Sequence, residues 1–378
     1  MRFPAASHRS QASLHPRNLP GRDFPLFSEA LWLAALACLL LGSFASASPI
    51  TYQQVKVGNA GNANDTGGGL IGAVAYDYQI GKYDVTIGQY TAFLNAVAKS
   101  DTYSLYNSSM VTNLNIAGIS RTGGSGSYAY SVLGSANRPI TYVSWWDSAR
   151  FSNWMANGQP TGAQTSTTTE NGAYNVNGAT TGNAVAKNAT IPNTSAAPTF
   201  FIPNQNEWYK AAYYSPSLNS GSSGYYAYAT QSNTAPGNVV GSGANQANYN
   251  NGVYSVTQSS YSSSQNYLTD VGAFSGSGSF YGTFDQSGNV YQWNDLDGAP
   301  GSSRGLRGGF WGPNAFAVSS SYGNSGVPSV ENGTIGFRLA SPVSGSSGVP
   351  EIDPSGLSAA LGLIAGWLGL LERRRYGR

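Results

Sequence analysis

Apolar and polar positions along the chain change period several times, and each change predicts an element. From Val74 to Val85 (VAYDYQIGKYDV) apolar and polar residues alternate, the pattern of a half-buried strand. The period then lengthens. Ile87, Tyr90, Phe93, Leu94 and Val97 share one face of a helix, which Thr86 caps while Gln89 holds the reciprocal position. A short strand over Ile140–Val143 leads to a second helix, opened by Ser144, with Asp147 in the capping-box place and Trp145 and Ala149 to bury. A third helix follows Pro203: Asn204 caps it, Glu207 answers, and Trp208 is its core anchor. Val290, Tyr291, Gln292 and Trp293 alternate again, and Asn332–Ala340 (NGTIGFRLA) closes the pattern as a strand.

The connections are long: 100–137, 157–200 and 215–278 are Ser/Gly/Asn-rich and studded with tyrosines, without internal repeats. Short helices, short strands and aromatic-rich loops predict a single loop-rich α+β domain over 71–340. An N-terminal arm (48–70) precedes it and a Ser/Gly linker (341–349) follows.

Composition sharpens this picture. Of 378 residues only 10% are charged, while 48 are Gly, 25 Tyr and 8 Trp. That profile fits an exported, loop-rich protein, and a hydrophobic content of 40% argues against wholesale disorder. Between Ser48 and Pro350 eleven Lys/Arg face twelve Asp/Glu, with no basic stripe, so nucleic acid is not an expected partner.

The ends read as targeting segments. Arg2, Arg9, Arg17 and Arg22 precede an apolar run, Ala30–Leu41, and Ala45-Ser46-Ala47 offers a small-residue cleavage site, so 1–47 is read as a signal peptide. A retained anchor is the alternative. At the other end Leu357–Leu371 is almost wholly apolar and is followed by Arg373-Arg374-Arg375. A helix over 357–371 is about 22 Å long, short of the roughly 30 Å hydrocarbon layer, and the arginines would hold its end on the cytoplasmic side.

Candidate chemistry concentrates between Tyr281 and Trp311. Asp285, Gln286, Ser287, Gly288 and Asn289 form an oxygen-rich turn between apolar and aromatic neighbours, a place for a hard cation or a ligand, or else a tight turn in an aromatic core. Subtraction is firmer. Cys38, the one cysteine, and the two histidines, His8 and His15, all lie in the leader. After cleavage near Ala47 the chain has no thiolate nucleophile, no disulfide and no imidazole base. Asp147 and Glu207 read as caps, and Arg307 and Arg338 as loop-fixing groups. Whether any of Asp270, Asp285, Asp295 and Asp297 face each other, as glycoside hydrolysis needs, stays open.

YQIGKYDVTIGQYTAFLNAV, ITYVSWWDSARFSNWM, FIPNQNEWYKAAYY, YGTFDQSGNVYQWND, LRGGFW and IGFRLAS occur in this order. Together they resemble the formylglycine-generating enzyme (sulfatase-modifying factor) domain, whose fold is related to C-type lectins. The resemblance implies that fold over roughly 70–340. The family's Arg-Leu-Pro-Thr-Glu reads Phe201-Ile202-Pro203-Asn204-Gln205 here, and its serine after the paired glycines is Phe310. The cysteines that bind copper in active members fall at Pro313 and Val318, so copper and formylglycine formation are not expected. The resemblance also implies a Ca²⁺ site at Asp285, Gly288, Val290 and Gln292, weakened because Gln292 replaces a glutamate. The tail (350–378) resembles the PEP-type C-terminal sorting signal, with Pro350-Glu351 and a displaced second proline at Pro354. That implies processing by an exosortase-type protease and a Gram-negative bacterium, with the protein at the cell envelope or outside it. The expected role is a non-catalytic module for exopolysaccharide or a surface protein. The alternative is an enzyme, of this family or with a rebuilt active site in the same cleft.

Overall fold

A computed structural model describes residues 49–343, residues 68 and 220 apart. The stretch read as a signal peptide (1–47), most of the stretch read as a linker and the stretch read as a sorting tail, with Pro350 and Glu351, lie outside the described residues.

Three helices begin as the sequence reading expects, because each start is written locally. Helix α1 (Ile87–Val97) has Thr86 and Gln89 bonded reciprocally across its first turn. A single-turn helix, α2 (Ser109–Thr112), follows. Ser144 and Asp147 close the same box on α3 (Trp145–Ala156), and Asn204 and Glu207 on α4 (Gln205–Tyr213). Each cap satisfies backbone N–H groups that would otherwise lack partners, and losing one costs about 0.5–2 kcal/mol.

Helix α3 is buried from Trp145 to Met155 although five of its twelve residues are polar. Burial is tolerated because the polar groups find partners. Ser148 and Ser152 donate to carbonyls one turn back, and Asn153 donates to Thr169 and Tyr174. Arg150 grips Glu170 through two bonds of 2.8 and 2.9 Å. Phe93, Phe151, Trp154, Phe337 and the Trp145–Trp146 pair supply the apolar mass around it.

Two sheets frame the core. In the first, β2 (Tyr78–Gly81) is central, flanked antiparallel by β1 (Gln54–Val57) and β11 (Ala340–Pro342). In the second, β7 (Tyr291–Asn294) pairs parallel with β10 (Ile335–Gly336) and antiparallel with β8 (Arg304–Arg307), which carries β9 (Asn324–Gly326) at its edge. Hairpins β3–β4 (Ile119–Thr122, Ala129–Val132) and β5–β6 (Tyr214–Asn219, Ser222–Tyr225) lie in stretches read as loop.

Several boundaries move. The strand expected over Val74–Val85 shortens to β2. Ile140–Val143 is no strand, since Tyr142 sits in the left-handed region at φ 57°. The strand expected over Asn332–Ala340 splits into β10 and β11, and β11 takes in Ser341 and Pro342 from the stretch read as linker.

Candidate functional site

The turn from Asp285 to Gln292 is held by geometry that its residue types explain. Asp285 and Asn289 adopt left-handed φ values of 61° and 64°, which Asp and Asn tolerate better than most residues. Gly288, at φ 91°, passes so close to Asn248 that a Cβ would stand 2.2 Å from its carbonyl oxygen. Only glycine fits there. Asn289 accepts from the Asn248 amide (3.0 Å) and the Thr269 N–H (3.2 Å), and its own carbonyl accepts from Trp311 N–H at 3.1 Å. Ser287 donates to the Val318 carbonyl (2.9 Å), so the turn and the 308–318 loop are fastened together.

Gly308 and Gly309, both at positive φ, bring that loop across the indole of Trp208 and against Val318. Beyond them runs a chain of rings in contact, of which Tyr291 and Tyr267 are buried and the other five reach the surface. Phe316 meets Tyr322 (centroids 5.5 Å apart), Tyr322 stacks on Tyr291 (6.4 Å) and Tyr291 meets Phe310 (5.4 Å). Phe310 stands edge-on to Trp311 (5.8 Å), which stacks on Tyr267 (4.9 Å, 18°), itself stacked on Tyr261 (5.8 Å). Phe316 is 61% exposed and Tyr261 54%; Tyr322, Phe310 and Trp311 are half-buried. The Trp311 indole N–H has no partner. The loops carrying most of this band, 248–269 and 308–330, contain no charged residue.

The family model for the sulfatase-modifying factor enzyme 1-like domain matches residues 59–343, three quarters of the chain. The chain belongs to this family. No curated protein matches it. Among solved structures it is similar to CarF, at 19% identity and TM-score 0.42, over 78% of this chain and 99% of that one. Treponema denticola variable protein 1 aligns at 17% identity and TM-score 0.44, over 78% and 96%. PvdO from Pseudomonas aeruginosa aligns at 17% identity and TM-score 0.39, over 78% and 93%.

At Pro313 and Val318, where copper-binding members of the family carry cysteines, the residues do not fit the metal. Val318 is fully buried, packed with Ala247 and Tyr249, and Pro313 is half-buried with its carbonyl accepting from Asn250 N–H at 3.1 Å. Neither side chain carries a donor atom.

Three of the four expected calcium ligands, Asp285, Gly288 and Gln292, are already engaged. Gln292 Oε1 accepts from Trp208 Nε1 and from Arg338 Nε, both at 2.6 Å, and its amide donates to the Asp285 carbonyl at 2.8 Å. Asp285 Oδ2 accepts from Gly272 N–H (2.7 Å), and the Gly288 carbonyl accepts from Val290 N–H. Arg338 is a buried cation at the site, its other nitrogens on the Gly81 carbonyl (2.9 Å), the Phe284 carbonyl (2.7 Å) and Asp84 (3.2 Å). With Gln292 oxygen shared by two donors and a guanidinium alongside, this arrangement does not fit a Ca²⁺ shell.

Sequence reasoning missed Asp84 and Glu170. Asp84 reads as a turn residue ahead of the α1 cap, yet it is fully buried with one oxygen unpartnered. Burial pushes its carboxyl up to about 8 even though Arg338 pulls the other way. Asp285 and Asp295 are raised to about 6, burial again leading. Asp295 accepts from Trp145 Nε1 (2.7 Å) and the Tyr174 hydroxyl (2.6 Å) beside Arg304, and Asp297 and Asp270 are exposed. Of the carboxylates named in the sequence, Asp147, Glu207, Asp285, Asp295 and Asp297 each accept from a protein donor.

Proposed function

We propose that this sulfatase-modifying-factor domain is an exported, non-catalytic binding module whose aromatic band holds an uncharged polysaccharide at the envelope of a Gram-negative bacterium. The surface rings Phe316, Tyr322, Phe310, Trp311 and Tyr261, backed by buried Tyr291 and Tyr267 and lying on charge-free loops at the place where active relatives carry their cysteines, are the observation that supports this most. Half-exposed rings offer flat apolar faces to sugar rings, and flanking Ser, Asn and Gln side chains offer hydrogen bonds without favouring an ion. A nucleic acid would call for cations that these loops lack. The test is isothermal titration of the full chain against extracted matrix polysaccharide. Trp311→Ala should weaken binding about 30-fold, the equivalent of roughly 2 kcal/mol for a central aromatic contact. Unchanged affinity in that variant, or formylglycine made from a cysteine peptide with copper and oxygen, would defeat the reading.

Export and sorting belong to the same proposal. The leader would direct secretion, and Pro350-Glu351 with the apolar 357–371 segment would be read by an exosortase-type protease. Deleting Val349–Arg378 should move the protein from the cell surface to the medium, measured by immunoblot of both fractions; unaltered surface retention refutes it.

A further inference from the structure

One end of the first sheet gathers the last residue of β1, the first of β2 and the last of β11: Val57 and Pro342 both stand opposite Tyr78. The chain leaves the domain here, past an exposed Pro342. Fourteen Cα steps separate Val343 from Leu357, where the apolar run begins. At up to about 3.6 Å each they reach no further than about 50 Å. Whatever receives that run is therefore held within about one domain diameter of this end of the sheet.

The surface around this end is apolar. Leu70, Tyr76 and Phe280 are 69%, 48% and 42% exposed, three of the nine large apolar side chains so exposed among the described residues, and contacts tie all three to the strand ends. Tyr76 meets the ring of Tyr78 (6.3 Å). Phe280 stands edge-on to Tyr281 (5.2 Å), whose hydroxyl donates to the carbonyl of Gly58, the residue after β1, at 3.2 Å. Tyr281 stacks on Tyr214 (6.5 Å) and Tyr214 meets Tyr225 (5.2 Å), whose ring lies against Gly72, two residues from Leu70. Charge at this end is matched: Lys56 pairs with Asp77 at 2.9 Å, and Lys210 donates to the Asn59 carbonyl at 2.9 Å. Rings and a leucine without free charge suit the boundary between water and hydrocarbon, where Tyr and Phe sit at headgroup level. A small patch suffices there, because the tether raises its effective concentration at the surface that holds the tail.

We propose that this end of the sheet rests on the lipid surface that receives the tail, with Leu70 and Phe280 entering the headgroup layer and Tyr76 at its edge. The inference rests on reading 357–371 as a membrane-engaging segment, and the experiment separates the two. The full chain, carrying Cys38→Ser and purified in detergent from a secreting Gram-negative host, is reconstituted into phosphatidylethanolamine–phosphatidylglycerol vesicles. A fluorophore is attached through Leu70→Cys, Phe280→Cys or Phe316→Cys in turn and quenched with headgroup-nitroxide lipid. Labels at 70 and 280 should be quenched about threefold more than at 316, in high salt as in low, since the contact is not ionic. Phe280→Asp should reduce quenching of the label at 70 while the melting temperature holds. Deleting Val349–Arg378 should abolish association with the vesicles; if it does not, the tail reading fails and takes the inference with it. If the tail holds the chain on vesicles but 70 and 280 are quenched no more than 316, the inference alone falls. It falls too if high salt removes the difference or Phe280→Asp leaves it unchanged.

Discussion

Arg338→Ala should cost about 3–5 kcal/mol, enough to leave much of a marginally stable domain unfolded. The side chain is fully buried and donates to Gln292, Asp84 and two carbonyls drawn from three separate parts of the chain, Gly81, Phe284 and β7. Removing it takes the donor from Asp84 Oδ1, from the Gln292 oxygen and from two carbonyls, all in the buried interior. Urea unfolding followed by tryptophan fluorescence gives the loss directly. Arg338→Lys should rescue little, because a single ammonium cannot reach four acceptors laid out for a planar fork. A variant that is soluble and melts within a few degrees of the parent would show that the guanidinium is not the clasp described here.

Trp208→Ala should be nearly as damaging, about 3–5 kcal/mol, since a fully buried indole leaves a cavity that the framework cannot fill. Here the effect reaches the surface. The ring supports Gly308, where an added Cβ would lie 3.3 Å from Cζ2, so its loss undermines the loop that presents Phe310 and Trp311. Polysaccharide binding should fall together with the melting temperature. Trp208→Phe retains most of the volume and loses only the bond to Gln292 Oε1, an expected cost of about 0.5–1.5 kcal/mol. Because Arg338 uses the same oxygen, Trp208→Phe and Arg338→Ala should be non-additive in a double-mutant cycle. Full additivity would mean the shared acceptor carries no coupling.

What could be read from the sequence is what depends on neighbours in the chain. The three capping boxes are four-residue signals, and all three helices start where those signals stand. The hairpin β3–β4 was hidden because ISRTGGSGSYAYSV is Gly/Ser-rich and only its pairing across the turn, Ile119 with Val132, makes it a strand pair. Alternation over Val290–Trp293 suggested one solvated face, yet all four residues of β7 are buried, with β8 on one side and β10 on the other. The oxygen-rich turn was visible as a turn. Its loss of free oxygens to Trp208 and Arg338, 84 and 46 residues from Gln292, could not be seen without the fold. The aromatic band was legible only as scattered tyrosines, and Asp84 gave no local sign of its burial.

The first sheet has a mechanical corollary. Both β1 and β11 run antiparallel to β2, with Gln54 opposite Gly81 at one end and Pro342 opposite Tyr78 at the other. A tug directed along β11 strains its bonds to β2 in shear all together instead of unzipping them in turn. Were the protein tethered by its tail while gripping a polymer in flowing liquid, the drag would reach the domain through the three β11–β2 pairs.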